Sequence, residues 1–136
     1  MNKLSKIFNP NPVLSLGLSV LALTGSFALA AEASFRQSGI ASWYGPGFQG
    51  RLMANGKRFN QYAMTAAHKT LPFGTVVKVI NPKTKKSVKV TVTDRGPYVG
   101  GRIIDLSKKA GADLGISGIA KVSLVVISQP KNLKKN

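Results

Sequence analysis

Few side chains in this sequence could carry acid–base or nucleophilic chemistry. Its acids are Glu32, Asp94, Asp105 and Asp113, and its one histidine is His68. There is no cysteine, which excludes a thiol nucleophile and structural disulfides. Metal-ligating residues come in clusters at regular spacing; none is present, so neither a metal nor another cofactor is expected. No serine stands in a nucleophile-elbow setting. Glu32 lies in a predicted linker and Asp113 on a predicted helix, which leaves Asp94, Asp105 and His68.

Each of the three also has a structural reading. Asp94 opens Asp94-Arg95-Gly96-Pro97, where an aspartate bonds the backbone ahead of a turn. Asp105 follows Ile103 and Ile104 and precedes a helix start, where a carboxylate can satisfy free amides. His68 stands alone, as a hydrogen-bonded structural histidine would. Asn55-Gly56 marks a tight turn. Trp43 and Tyr44 suit either a barrel core or a platform for stacking on a sugar ring.

The elements that must position these residues read mostly as strands. Ser87 to Thr93 alternates Val88, Val90 and Val92 with Lys89, Thr91 and Thr93, the pattern of a half-buried strand. Thr75 to Ile80 is its apolar neighbour across an Asn81-Pro82-Lys83-Thr84 turn. Gly39 to Tyr44 and Ala120 to Ser128 form the first and last strands, with shorter ones over Tyr62 to Ala67 and Gly101 to Leu106. Six strands in so short a block predict a small closed barrel, because closure removes exposed edges. One helix is expected over Lys108 to Leu114, capped by Ser107 and stopped by Gly115.

The block from 38 to 128 is one domain. Residues 1–30 read as a signal peptide: Lys3 and Lys6, then an apolar stretch over Val13 to Leu23, then Ala28-Leu29-Ala30 as a cleavage pattern. Residues 31–37 read as a linker and 129–136 as a basic tail. Residues 31–136 keep eighteen Lys and Arg against four acids, a net charge of +14. Such a balance calls for a polyanionic partner. Export turns that expectation away from nucleic acid and towards peptidoglycan or another anionic envelope polymer. With no cysteine to carry a lipid, no stable membrane anchor is expected, and the product reads as soluble, periplasmic or secreted.

Taken in order, GIASWYG (39–45), F-x-G-R (48–51), ANG (54–56), MTAAHKTLPFGT (64–75), VTDRGP (92–97) and RIIDLS (102–107) resemble the rare lipoprotein A family. The resemblance implies an all-β fold, a six-stranded double-psi β-barrel with one short helix, shared with expansins. It implies a lytic transglycosylase that cuts peptidoglycan glycan between N-acetylmuramic acid and N-acetylglucosamine. The family prefers peptide-free strands and leaves 1,6-anhydro ends. Because the sugar's own C6 hydroxyl is the nucleophile, one carboxyl can act first as acid and then as base, which suits a chain so poor in acids.

Carried over, the family's functional positions fall on His68, Asp94 and Asp105. Trp43, Tyr44, Arg51, Asn55, Arg95 and Arg102 are the expected substrate contacts. After the ANG turn the family has a glutamate and then an aspartate, where this chain has Lys57 and Asn60. A lysine, with an ordinary pKa of about 10.4, does not replace a carboxylic acid. The alternative reading is therefore an expansin-like wall-binding or wall-loosening protein. A third, a cationic effector on lipopolysaccharide or membrane, explains the charge but not the ordered motifs. Arg95 and Arg102 would lower the pKa of a nearby aspartate, whereas burial would raise it.

Overall fold

The computed structural model describes residues 35–131; the predicted signal peptide, and residues 132–136 of the predicted tail, lie outside them. Six strands, β1 (Arg36–Trp43), β2 (Thr65–Ala67), β3 (Val76–Ile80), β4 (Ser87–Asp94), β5 (Arg102–Leu106) and β6 (Ala120–Ser128), close into a barrel. Helix α1 (Lys108–Leu114) sits between β5 and β6 in the chain. The order around the barrel is β1-β5-β2-β4-β3-β6, and β6 pairs back onto β1. β1 with β5 and β2 with β4 are parallel, while the other pairs are antiparallel. Parallel neighbours cannot be joined by a tight turn, and each parallel pair here is linked through intervening strands; the 44–64 segment carries the chain from β1 to β2, which do not pair with each other. This is the double-psi barrel that the sequence implied.

Strand alternation builds the core. Val77, Val79, Val90, Val92, Leu124 and Ile104 point inward and are almost fully buried, while Lys89 between Val88 and Val90 faces out. Leu114 of α1 packs into this cluster. The helix begins and ends as its sequence predicts. Ser107 Oγ accepts from the amide of Ala110 at 3.2 Å, and Gly115 takes the left-handed conformation at φ 76°.

Two strand starts differ from the sequence reading by more than one residue. β1 starts at Arg36 rather than Gly39, because Arg36 and Gln37 pair with Val125 and Leu124 of β6. The last two positions of the expected linker are thus part of the barrel. β2 is shorter than Tyr62 to Ala67. Asn60 closes a turn there, its Oδ1 accepting from the Tyr62 amide and its carbonyl from the Ala63 amide.

Trp43, whose sequence context left core and platform open, is partly buried and packs on the core cluster. α1 lies directly against it. A Cβ added at Gly111 would stand 3.1 Å from the Cβ of Trp43, and that carbon cannot move without its backbone. Gly111→Leu should therefore destabilise the fold by about 1–3 kcal/mol through overpacking. This outweighs the roughly 0.5–1 kcal/mol gained by removing a mid-helix glycine. Urea melts followed by the fluorescence of Trp43, the sole tryptophan, measure the difference; an unchanged or raised midpoint would contradict this seating of α1.

Candidate active site

Strand register assembles the site. Ser42, Asp105, Ala67 and Asp94 are successive partners across β1, β5, β2 and β4. Directly paired residues share one face of a sheet. The two aspartates therefore flank Ala67, two strand spacings or roughly 9–10 Å apart at Cα. Between them Ala67 offers only a methyl group.

The two carboxyls are in different situations. Asp105 is half-buried, and its Oδ1 accepts from Ser42 Oγ at 2.8 Å. Among the described residues, its Oδ2 accepts no hydrogen bond. Burial pushes the Asp105 carboxyl above its ordinary pKa, and the Asp94 charge adds a little in the same direction. The Ser42 bond and the Arg102 charge pull it down, so at this aspartate burial prevails over the arginine.

Asp94, by contrast, is fully engaged. Its Oδ2 accepts from the Tyr44 hydroxyl at 2.7 Å, and its Oδ1 accepts from the amides of Ala54 and Arg95, each at 2.8 Å. It thereby ties the end of β1, the 48–60 loop and its own turn to one point. Burial, then the Asp94 carboxylate, holds the Tyr44 phenol well above its ordinary pKa, so it remains a donor. The Tyr44 ring packs on Phe59 and Phe48, at 4.6 and 5.3 Å between centroids. Its contacts are those of a strut for Asp94 rather than of a free stacking surface.

His68 is 3% exposed and both ring nitrogens are occupied. Nδ1 lies 3.1 Å from the amides of both Thr70 and Leu71 and accepts from them. The proton is then on Nε2, which donates to Gln37 Oε1 at 2.9 Å. Burial, followed by the charges of Arg95 and Lys69, lowers its pKa. The expected part in catalysis has no free ring nitrogen to use; the ring instead holds the 68–71 turn.

Arg95 braces the same turn. Its Nη1 donates to the carbonyls of Leu71 and His68 at 2.9 and 3.2 Å, and its guanidinium stands 3.9 Å from the Phe73 ring centroid. Asn55 closes its own turn, with Oδ1 accepting from the Lys57 amide at 3.0 Å. Of the expected substrate contacts, two arginines keep their polar ends available. Arg51 is exposed over the Phe48 ring, and Arg102 is half-buried with no side-chain hydrogen bond among the described residues. Trp43 borders a small pocket of about 150 Å³ with Pro46, Gln61 and Lys108. Lys57 and Asn60 are both exposed on the loop that Asp94 holds. Sequence reasoning missed Ser42, Ala67 and Gln37, whose roles come from pairing with strands distant in sequence.

The histidine carries a pH signature. A protonated Nδ1 could not accept the Thr70 and Leu71 amides. Because the folded pKa lies below the unfolded value of about 6.5, the unfolded chain takes up the proton first. The stability His68 provides is present above about pH 6.5 and is lost as the pH falls from there through the folded pKa. Urea melts between pH 8 and 5 should show this loss in the wild type and a flatter profile in His68→Gln. Parallel profiles would contradict a neutral, doubly bonded ring.

The family described as lytic transglycolase matches residues 36–124. The chain is 48% identical over 130 residues to a probable endolytic peptidoglycan transglycosylase RlpA of Synechocystis, covering 93% of this chain and 40% of the relative. It is 57% identical over 91 residues to the endolytic peptidoglycan transglycosylase RlpA of Campylobacter jejuni, covering 65% of this chain and 33% of that protein. The chain thus spans well under half the length of these relatives. Among solved structures, the expansin of Clavibacter michiganensis superposes with a TM-score of 0.53 at 28% identity, over 71% of this chain and 52% of the expansin. A match through nearly the whole barrel, with about half the residues identical in these relatives, gives one conclusion: the chain belongs to the lytic transglycolase family.

Proposed function

We propose that this domain cleaves the glycan strands of peptidoglycan as a lytic transglycosylase, with Asp105 as its single acid and base. The observation that carries the reading is the state of Asp105: half-buried, one oxygen fixed by Ser42, the other without a hydrogen bond among the described residues, and its pKa raised by burial. A general acid needs a raised pKa. The activity named for the Synechocystis and Campylobacter relatives supports the same reaction class.

In this mechanism protonated Asp105 gives its proton to the glycosidic oxygen between N-acetylmuramic acid and N-acetylglucosamine. As that bond breaks, the muramic C6 hydroxyl attacks C1 and loses its proton to the Asp105 carboxylate. The products are a 1,6-anhydro end and a free C4 hydroxyl; no water is consumed, and the acid is regenerated. Asp94 and Tyr44 position the rim of the site. In this reading peptide-free strands are the preferred substrate, and the signal pattern in 1–30 supports a reaction in the periplasm or outside the cell.

A second reading, expansin-like binding without cleavage, is favoured by one observation. Lys57 and Asn60 replace the acids expected after the ANG turn, on the loop held by Asp94.

Wild-type protein on peptide-free glycan should release anhydro-ended fragments, detected by mass spectrometry. Asp105→Asn should lower that release by about 10²–10⁴-fold, the usual contribution of acid–base catalysis. The loss would not come from misfolding. A folded pKa raised above the unfolded one gives stability that is fully present at low pH and lost as pH rises through it. At pH 7 the Asp105 charge therefore costs stability, and the asparagine variant should be at least as stable as the wild type. Release by Lys57→Glu with Asn60→Asp, but none by the wild type, would overturn the lytic reading in favour of the second.

A further inference from the structure

The wall of the barrel opposite the aspartates is cationic. In the closed order β1-β5-β2-β4-β3-β6, the β5–β2 seam that holds Asp105 and Ala67 lies across the barrel from the β3–β6 seam. On the outer face around β3–β6, Arg36, Val125, Lys78 and Lys89 are successive partners across β1, β6, β3 and β4. Lys121 projects from the same face two pairs further along β6, and the 81–86 turn at its edge adds three lysines. The acids among the described residues are Asp94, Asp105 and Asp113. The first two are at the site, and Asp113 is 3.3 Å from Lys109 in the one ion pair among those residues. This face therefore has no internal counter-charge.

Two details point to an external one. Lys78 and Lys89 are direct cross-strand partners, an arrangement of like charges that destabilises a sheet unless an anion screens it. Two grooves of about 370 and 310 Å³ run along the same face and share Ser38 and Ser123, whose hydroxyls lie 3.4 Å apart. The grooves thus combine hydroxyl donors with cations. Arg36 and Lys78 are two strand spacings or roughly 9–10 Å apart, and Lys121 lies about 13 Å along the strand from their row. Such spacing matches carboxylates scattered along short peptides better than a dense phosphate chain.

We infer that this face binds the carboxylate-bearing peptides of peptidoglycan, holding the protein on peptide-decorated strands while the opposite wall works on bare glycan. The inference rests on the wall-polymer reading above and gives it a second, separate contact. Gripping and cutting occur on opposite walls, so one can be removed without the other.

The test uses Lys78→Gln with Lys89→Gln and Lys121→Gln, and measures retention on intact sacculi and on amidase-treated, peptide-free glycan. Retention is read in an Asp105→Asn background so that turnover cannot affect it. The protein without the lysine changes should be retained more strongly on intact sacculi, and the triple change should remove that excess. The expected loss is roughly tenfold near 0.15 M salt, since three exposed ion pairs each contribute under about a factor of five. It should shrink towards 1 M salt, where the Debye length falls to about 3 Å. With Asp105 intact, the triple variant should release anhydro ends from peptide-free glycan at the wild-type rate. Removing like charges should leave its melting temperature unchanged or higher.

Equal retention on both polymers before the lysines are changed, or undiminished retention after, would overturn the inference. So would a loss confined to walls bearing phosphate polymers. Absence of anhydro ends from the wild type would count against the lytic reading alone, because retention is measured without turnover.

Discussion

The site depends on one constraint, the insertion of β2 between β5 and β4. β2 is three residues long, and it is parallel to one neighbour and antiparallel to the other. That single short strand brings together two aspartates eleven positions apart in sequence and sets them on either side of Ala67. The parallel pairing of β1 with β5 then places Ser42 beside Asp105. None of these contacts is local in the chain. The arrangement is a property of barrel closure, and a register slip of one residue would turn each side chain to the other face.

Around this row, polar side chains serve mainly as fasteners for loops. Asp94 gathers Tyr44, Ala54 and the Arg95 amide. His68 and Arg95 together hold the turn after β2. A buried carboxylate or imidazole is costly unless its hydrogen bonds are met, and here they are met by backbone amides together with the Tyr44 hydroxyl and the Gln37 amide oxygen. Asp105 is the exception, with one oxygen that accepts no hydrogen bond among the described residues. Of the three acids in the described region, one is a fastener, one is exposed on a helix, and one keeps a carboxyl oxygen without a hydrogen bond among the described residues.

Much of this was legible in the sequence, for physical reasons. Alternation at Val88, Val90 and Val92 marks a strand whatever its partners, and Ser107 and Gly115 mark helix ends through local hydrogen bonds and a local φ. Motif order pointed to the double-psi barrel and to Asp94 and Asp105. The division of labour between the two aspartates was not legible. It depends on which hydroxyl reaches which oxygen, and Ser42 and Tyr44 meet their aspartates 63 and 50 residues away. His68 and Arg95 looked functional because both lie in the motifs, yet their partners show a structural use. Gln37 was hidden because it fell in an expected linker. The opposing pulls of burial and Arg102 on Asp105 could be stated from sequence, but not weighed until burial was known.

The protein thus combines an acidic centre on one seam of the barrel with a basic outer face on the opposite seam. Within that excess of positive charge, Arg102 acts on Asp105 without forming an ion pair among the described residues, and burial still raises the carboxyl's pKa. The most direct test is to titrate the side-chain carboxyl of Asp105 by carbon NMR, assigned by its absence in Asp105→Asn. A midpoint above the ordinary aspartate value, rising further in Ser42→Ala as the hydrogen bond is lost, is the predicted result. A midpoint at or below the ordinary value, or one lowered by Ser42→Ala, would contradict Asp105 as the acid.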